Sequence, residues 1–210
     1  MITHVVLRLS SSQGDITYEF IIKQITREGL SAAKDPGVAL SYGAAFISRG
    51  DLAVTGAFMM LWGQQYFLQG VPEDQVMNKV IEAQKVAGSE MMGMTVLGAL
   101  VGAVLMMTLS DRIGRVTAIC FSSGLASVVY LGVFTVDDPF SAYSKVLLFF
   151  MEIAELCAFI SSQVLVAQQA PPHLRGAVTG FFGAAGALGM LVATALGGFL
   201  FKKSAILHLS

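Results

Sequence analysis

Five apolar stretches, each near the roughly 20 residues that cross a bilayer core, set the limits on what this chain can fold into. They run over about 38–69, 90–109, 116–136, 143–169 and 175–201, and Met91–Leu109, Val116–Val136 and Gly176–Phe201 carry no charged residue. In lipid, an unpaired backbone polar group costs several kcal/mol, so a spanning segment must bond to itself or close into a barrel. Barrel strands would show about 10 residues of strict alternation, which these runs lack. The expected fold is therefore all-α: a polytopic membrane protein, a bundle of about five transmembrane helices lying in a lipid bilayer. Composition agrees, with 55% hydrophobic residues, 13% charged residues and a mean hydropathy of +0.70. Soluble domains are about a quarter charged. The 22 glycines and 11 methionines also suit membrane helices that pack closely.

Several function classes drop out. A net charge of −1 gives no basic footprint for nucleic acid. Cys120 and Cys157 lie inside apolar runs at unrelated spacing and read as small hydrophobes rather than a disulfide or metal site. His4, His173 and His208 are scattered, and there is no phosphate-binding glycine loop, paired-histidine helix or serine elbow. The expectation is a chain that is not an enzyme and holds no cofactor or metal. The opening Met1–Gln13 lacks a long apolar core and a small-residue cleavage site, so no secretory signal is expected.

Residues 1–36 form a polar segment in which 18–25 has the pattern of a short amphipathic surface helix. Asp35-Pro36 marks a helix start. Of the connections, 71–88 is polar with balanced charge and Asp137-Asp138-Pro139 is acidic and tight. The other two, 110–115 and 171–175, carry Arg112, Arg115, His173 and Arg175. Basic short loops prefer the cytoplasmic side. That places the amino terminus in the cytoplasm, across a plasma or inner membrane, and the carboxyl end outside. Lys202 and Lys203, at the start of the tail 202–210, run against this assignment.

The loop Leu109-Ser110-Asp111-Arg112-Ile113-Gly114-Arg115 joins two apolar runs. It resembles the signature cytoplasmic loop of the major facilitator superfamily: glycine, any residue, leucine, any residue, aspartate, arginine, any residue, glycine, arginine. Met107 stands where the family has its leading glycine. Gly114 would permit a tight turn, and Asp111 offers a carboxylate to forked guanidinium donors. Such a cluster can latch two helices in one conformation and release them in another; the plainer alternative is a polar turn obeying the charge rule. A second resemblance lies in Ala167–Gly176, a proline, arginine, glycine loop like those before the family's fifth and eleventh helices.

The resemblance covers about 37–201 and implies a secondary transporter with two six-helix halves, each built of inverted three-helix repeats. It favours the carboxyl-terminal half, helices seven to eleven, truncated before the last, with 1–36 as the end of a central loop. The amino-terminal half stays open. The implied partners are a small-molecule solute, protons, and the missing half or a second copy. Alternating access needs both halves, so a non-transporting membrane scaffold and a half-size carrier that pairs with another chain both remain alternatives.

Ionisable groups at membrane depth are functional candidates by default. Arg49 and Asp51 interrupt the first run; they lie near mid-membrane if the helix starts near Val38, and at the interface if spanning begins at Leu52. Glu152 and Glu155 share one helix face three residues apart. Two nearby carboxylates resist simultaneous ionisation, as a proton-coupled carrier requires; the alternative is a carboxyl that only helps helices pack. Gln64, Gln65 and Gln163 are candidate cavity-lining groups. Gly98 and Gly102, then Gly176, Gly180, Gly183, Gly186 and Gly189, recur at steps of three and four that make smooth helix-packing faces.

Overall fold

The structure, a computed structural model, describes residues 23, 26–109 and 112–208. The surface helix expected at 18–25 falls largely outside them, as does Asp111. Five helices are long and apolar enough to cross a membrane: α1 (Pro36–Leu68), α2 (Asp74–Leu109), α3 (Arg115–Val133), α4 (Ala142–Gln169) and α5 (Arg175–His208, apolar through Leu200). The protein is an all-α integral membrane half-bundle.

Local chemistry sets the ends. The Asp35 carboxylate accepts hydrogen bonds from the backbone N–H groups of Gly37 (2.8 Å) and Val38 (3.2 Å), and Pro36 opens the first turn of α1. Ser141 caps α4 by accepting from the Ser144 N–H at 3.1 Å. Gly70 turns the chain between α1 and α2 with φ +77°, a conformation that favours glycine.

Two stretches differ from the sequence expectation. The polar connection 71–88 is helical from Glu73 and runs directly into the apolar part of α2. Between Glu73 and Ala87 there is no glycine or proline, and Glu, Gln, Met, Lys and Ala are good helix formers. Gly88 then passes into a π-helical turn, Gly88–Met92, instead of ending the helix. Likewise, 202–208 continues α5, because nothing in that stretch breaks a helix.

Helix α4 is the centre of the bundle. Within the bundle, 61% of its apolar window is buried, against 28% for α1 and less for the others. It packs on α1, α2 and α3, while α5 packs chiefly on α1. Lipid tails supply no hydrophobic drive between helices, so close packing and polar contacts must hold them. Glycine supplies the close packing. A Cβ on Gly98 would collide with the Phe149 carbonyl oxygen of α4, and one on Gly102 would lie 3.3 Å from the Ile153 Cα. At the α1–α5 crossing, Gly50 faces the Gly189 carbonyl, and a Cβ on Gly189 would overlap the Phe46 carbonyl. Gly186 gives room to the Arg49 side chain. Gly176 and Gly183 face open space, so these two members of the α5 glycine series make no close contact here. Outward faces such as Leu97, Leu100 and Val104 of α2 and Leu191 and Phe199 of α5 are exposed and suit lipid.

Overpacking such contacts costs about 1–3 kcal/mol each. Gly98→Leu and Gly189→Leu should each lower the unfolding midpoint of the detergent-purified protein. Gly183→Ala, whose new Cβ meets open space, should leave it unchanged.

Candidate functional site

Glu155 lies 13 residues into α4, about 20 Å along the helix at 1.5 Å per residue. Its Oε1 accepts hydrogen bonds from the Tyr130 hydroxyl of α3 (2.6 Å) and the Thr55 hydroxyl of α1 (3.1 Å). Three helices thus meet at one carboxyl group. Thr55 also opens the π-helical turn Thr55–Met59 of α1, a distortion frequent at functional sites.

Glu155 borders a cleft of about 280 Å³ between α1, α3 and α4, whose polar side chains are Ser48, Asp51, Ser123, Ser127, Tyr130 and Glu155. Glu152, also buried, adjoins a much smaller gap of about 30 Å³ shared with Ser48, Leu52, Phe159 and Glu155. One turn apart on α4, the two glutamates therefore open on neighbouring spaces.

The remaining candidates separate. Because α1 runs unbroken from Pro36, Arg49 sits about 20 Å from its start. Residues two apart on a helix do not share a face. Arg49 turns toward Gly186 of α5, and its guanidinium carbon lies 5.4 Å from the Phe159 ring centroid, while Asp51 turns into the cleft. Among the described residues, no carboxylate forms an ion pair with Arg49. The three glutamines do not join the site. Gln64 and Gln65 lie about 20 Å farther along α1 than Asp51, and Gln163 about 12 Å beyond Glu155 on an exposed face of α4.

In the loop between α2 and α3, Arg112 is exposed and Arg115 is half-buried at the start of α3. Gly114 adopts φ −57° and ψ 138°, a backbone shape any residue accepts. A Cβ there would meet Thr117 Oγ1 at an ordinary 3.6 Å, so this turn does not need the glycine that the sequence reading gave it. At the opposite end of the bundle, Lys145 of α4 pairs with Glu90 of α2.

Sequence reading missed Ser48, Thr55, Ser123, Ser127 and Tyr130. A signal was present. Ser48, Asp51 and Thr55 follow steps of three and four, and Ser123, Ser127 and Tyr130 steps of four and three. Each set forms a polar stripe on one face of an apolar helix.

A five-helix bundle with buried carboxyls and glycine-seated crossings is the frame of a polytopic membrane protein. The sequence model of the Major Facilitator Superfamily matches residues 38–205, and the chain belongs to that family. Magnetosome protein MamH of Paramagnetospirillum magneticum (strain AMB-1) is 26% identical over 173 residues, covering 80% of this chain and 37% of the relative. Magnetosome protein MamZ of Magnetospirillum gryphiswaldense (strain MSR-1) is 26% identical over 167 residues, covering 80% of this chain and 25% of the relative. MamZ of P. magneticum is 25% identical over the same length and shares. The chain thus spans between a quarter and about two-fifths of the length of these curated relatives. No solved structure matches.

Hydrogen bonds between membrane helices average about 0.6 kcal/mol and reach about 1.7. Tyr130→Phe should destabilise the bundle by an amount in that range in a reversible unfolding titration. The same change in a Glu155→Gln background should cost less, since the partners form one network.

Proposed function

We propose that this chain is one helical bundle of a secondary transporter, moving a small solute by alternating access with proton coupling at Glu155. The observation that carries this reading is the Glu155 carboxyl, buried at the bundle centre and bonded from α1 and α3. It opens on a cleft that also holds Asp51. Two carboxyls face one cleft whose lining has no basic residue, so a bound proton or cation balances their charge. Thr55 and Tyr130 come from different helices, so the hydrogen bonds around Glu155 change whenever those helices shift. A carrier needs that link between occupancy and conformation.

In this reading a second bundle, from another segment or a second copy, closes the transport path. The loop 110–115, with Asp111, Arg112 and Arg115, acts as the conformational latch. The amino-terminal segment faces the cytoplasm across the plasma or inner membrane; the relatives' names add the magnetosome membrane as a candidate location.

The test is uptake into proteoliposomes under an imposed proton gradient, with a broad panel of labelled small solutes. The chain is reconstituted alone and as a tandem of two copies joined through one added spanning helix, which gives both copies the same orientation across five spans each. Gradient-driven uptake of at least one solute, reduced at least tenfold by Glu155→Gln, is the expected result. No uptake from either form would rule out a second copy as the closing bundle, and no uptake from the chain joined to its upstream coding region as well would sink the transporter reading. Orientation has its own check: a cysteine at Arg112 should react with impermeant maleimide from the cytoplasmic side, and one at Asp138 from the other.

A further inference from the structure

We propose that the cleft between α1, α3 and α4 binds a small organic cation, a solute with a protonated amine on an apolar skeleton. That this ligand is the transported solute rests on the transporter reading above; the binding itself does not.

Every polar side chain lining the cleft presents oxygen: the carboxylates of Asp51 and Glu155 and the hydroxyls of Ser48, Ser123, Ser127 and Tyr130. No Lys, Arg or His joins them, and Arg49, two residues from Asp51, points to Phe159 instead. An anion entering here would meet two carboxylates and no counter-charge.

A second observation points to a missing donor. Glu155 is 4% exposed. Its Oε1 has two donors, but its Oε2 is buried and has no hydrogen-bond partner in the structure. Leaving a buried carboxylate oxygen unpaired costs free energy. A primary ammonium group carries three N–H donors and no acceptor; once the Glu155 carboxyl turns to bring Oε2 to the cleft, the group bonds it with one donor and reaches Asp51 or a serine hydroxyl with the others.

Size and lining select the rest of the ligand. At about 280 Å³, the cleft lies at the lower end of small-molecule pockets. It has room for about nine waters at ~30 Å³ each, so a bare ion would fill little of it. The non-polar lining consists of Ala44, Ile47, Ala126, Ala154 and Ala158, which suits a short hydrocarbon or aromatic body. Among the described residues, no group of three His, Cys, Asp or Glu side chains could hold a metal ion.

The experiment is calorimetric titration of the full chain in nanodiscs, with empty nanodiscs subtracted. The probes are phenethylamine, its same-skeleton anion phenylacetate, the neutral 2-phenylethanol, sodium chloride and magnesium chloride. Phenethylamine should bind saturably and at least tenfold more tightly than phenylacetate or the alcohol. Glu155→Gln should weaken it at least tenfold. Ser127→Phe, on an exposed stretch of α3 at the cleft, keeps both carboxyls and should block binding by filling the space, which covers the case in which Glu155→Gln does not assemble.

Equal binding of the anion or alcohol would overturn the proposal. So would amine binding that both folded variants retain, or Glu155-dependent binding of sodium or magnesium without amine. Proton-driven uptake that depends on Glu155, without amine binding, would remove the cation and leave the transporter reading standing. Amine binding lost in the variants, without any uptake, would support the site and remove the transporter reading.

Discussion

The surrounding lipid offers the Glu155 carboxyl no hydrogen-bond donor, so its Oε1 takes both of its donors from within the protein. That requirement constrains the rest of the bundle. Its Oε1 draws one hydroxyl from Thr55 on α1 and another from Tyr130 on α3. For both bonds to form, α1 and α3 must each present one particular face to α4. Once those faces are set, Ser48 and Asp51 follow on α1, and Ser123 and Ser127 on α3, because helical spacing keeps them on the same sides. The polar cleft is thus a consequence of the rotational setting that buries Glu155.

The glycine contacts answer a different need. The central helix can hold a carboxyl, two hydroxyl partners and a cleft only if its other neighbours approach without filling the space. On the α2 side, Gly98 and Gly102 let the backbone lie directly on the Phe149–Ile153 stretch of α4. On the far side of α1, Gly186 and Gly189 let α5 seat against Phe46, Arg49 and Gly50. Polar atoms at one face of α4 and backbone-to-backbone contact at another divide the work that a hydrophobic core does in water.

Much of this was legible in the chain. Apolar run length gave the number of spanning helices, and Asp35-Pro36 gave the start of α1. The loop Leu109–Arg115 carried the family resemblance. What sequence could not supply is which residues meet across helices. Glu152 and Glu155 are adjacent in spacing, yet the structure joins Glu155 to Thr55 and Tyr130, which lie 100 and 25 residues away. Arg49 and Asp51 are neighbours in sequence, yet they point to different helices because two residues rotate a helix by about 200°. The glutamines lie apart from the cleft for a simpler reason: their polarity marks hydrogen-bonding capacity but not depth along the helix. The turn at Gly114 shows the converse, since glycine there was given a conformational role that its φ of −57° does not need.

Helix α1 is where the two kinds of contact come closest together. Within one turn it carries Arg49 and Gly50 against α5 and Asp51 into the cleft, and the next turn brings Thr55 to Glu155. The π-helical turn Thr55–Met59 begins at that hydrogen bond, and its Phe58 ring lies against Gly197 of α5. The extra residue that a π turn inserts shifts the register of the faces beyond it. A helix that regained regular α geometry here would turn Phe58 away from Gly197, or Thr55 away from Glu155. The α5 contact and the Glu155 bond are therefore tied to one backbone feature. Movement of α5 along α1 cannot leave the carboxyl's surroundings unchanged unless the π turn absorbs it.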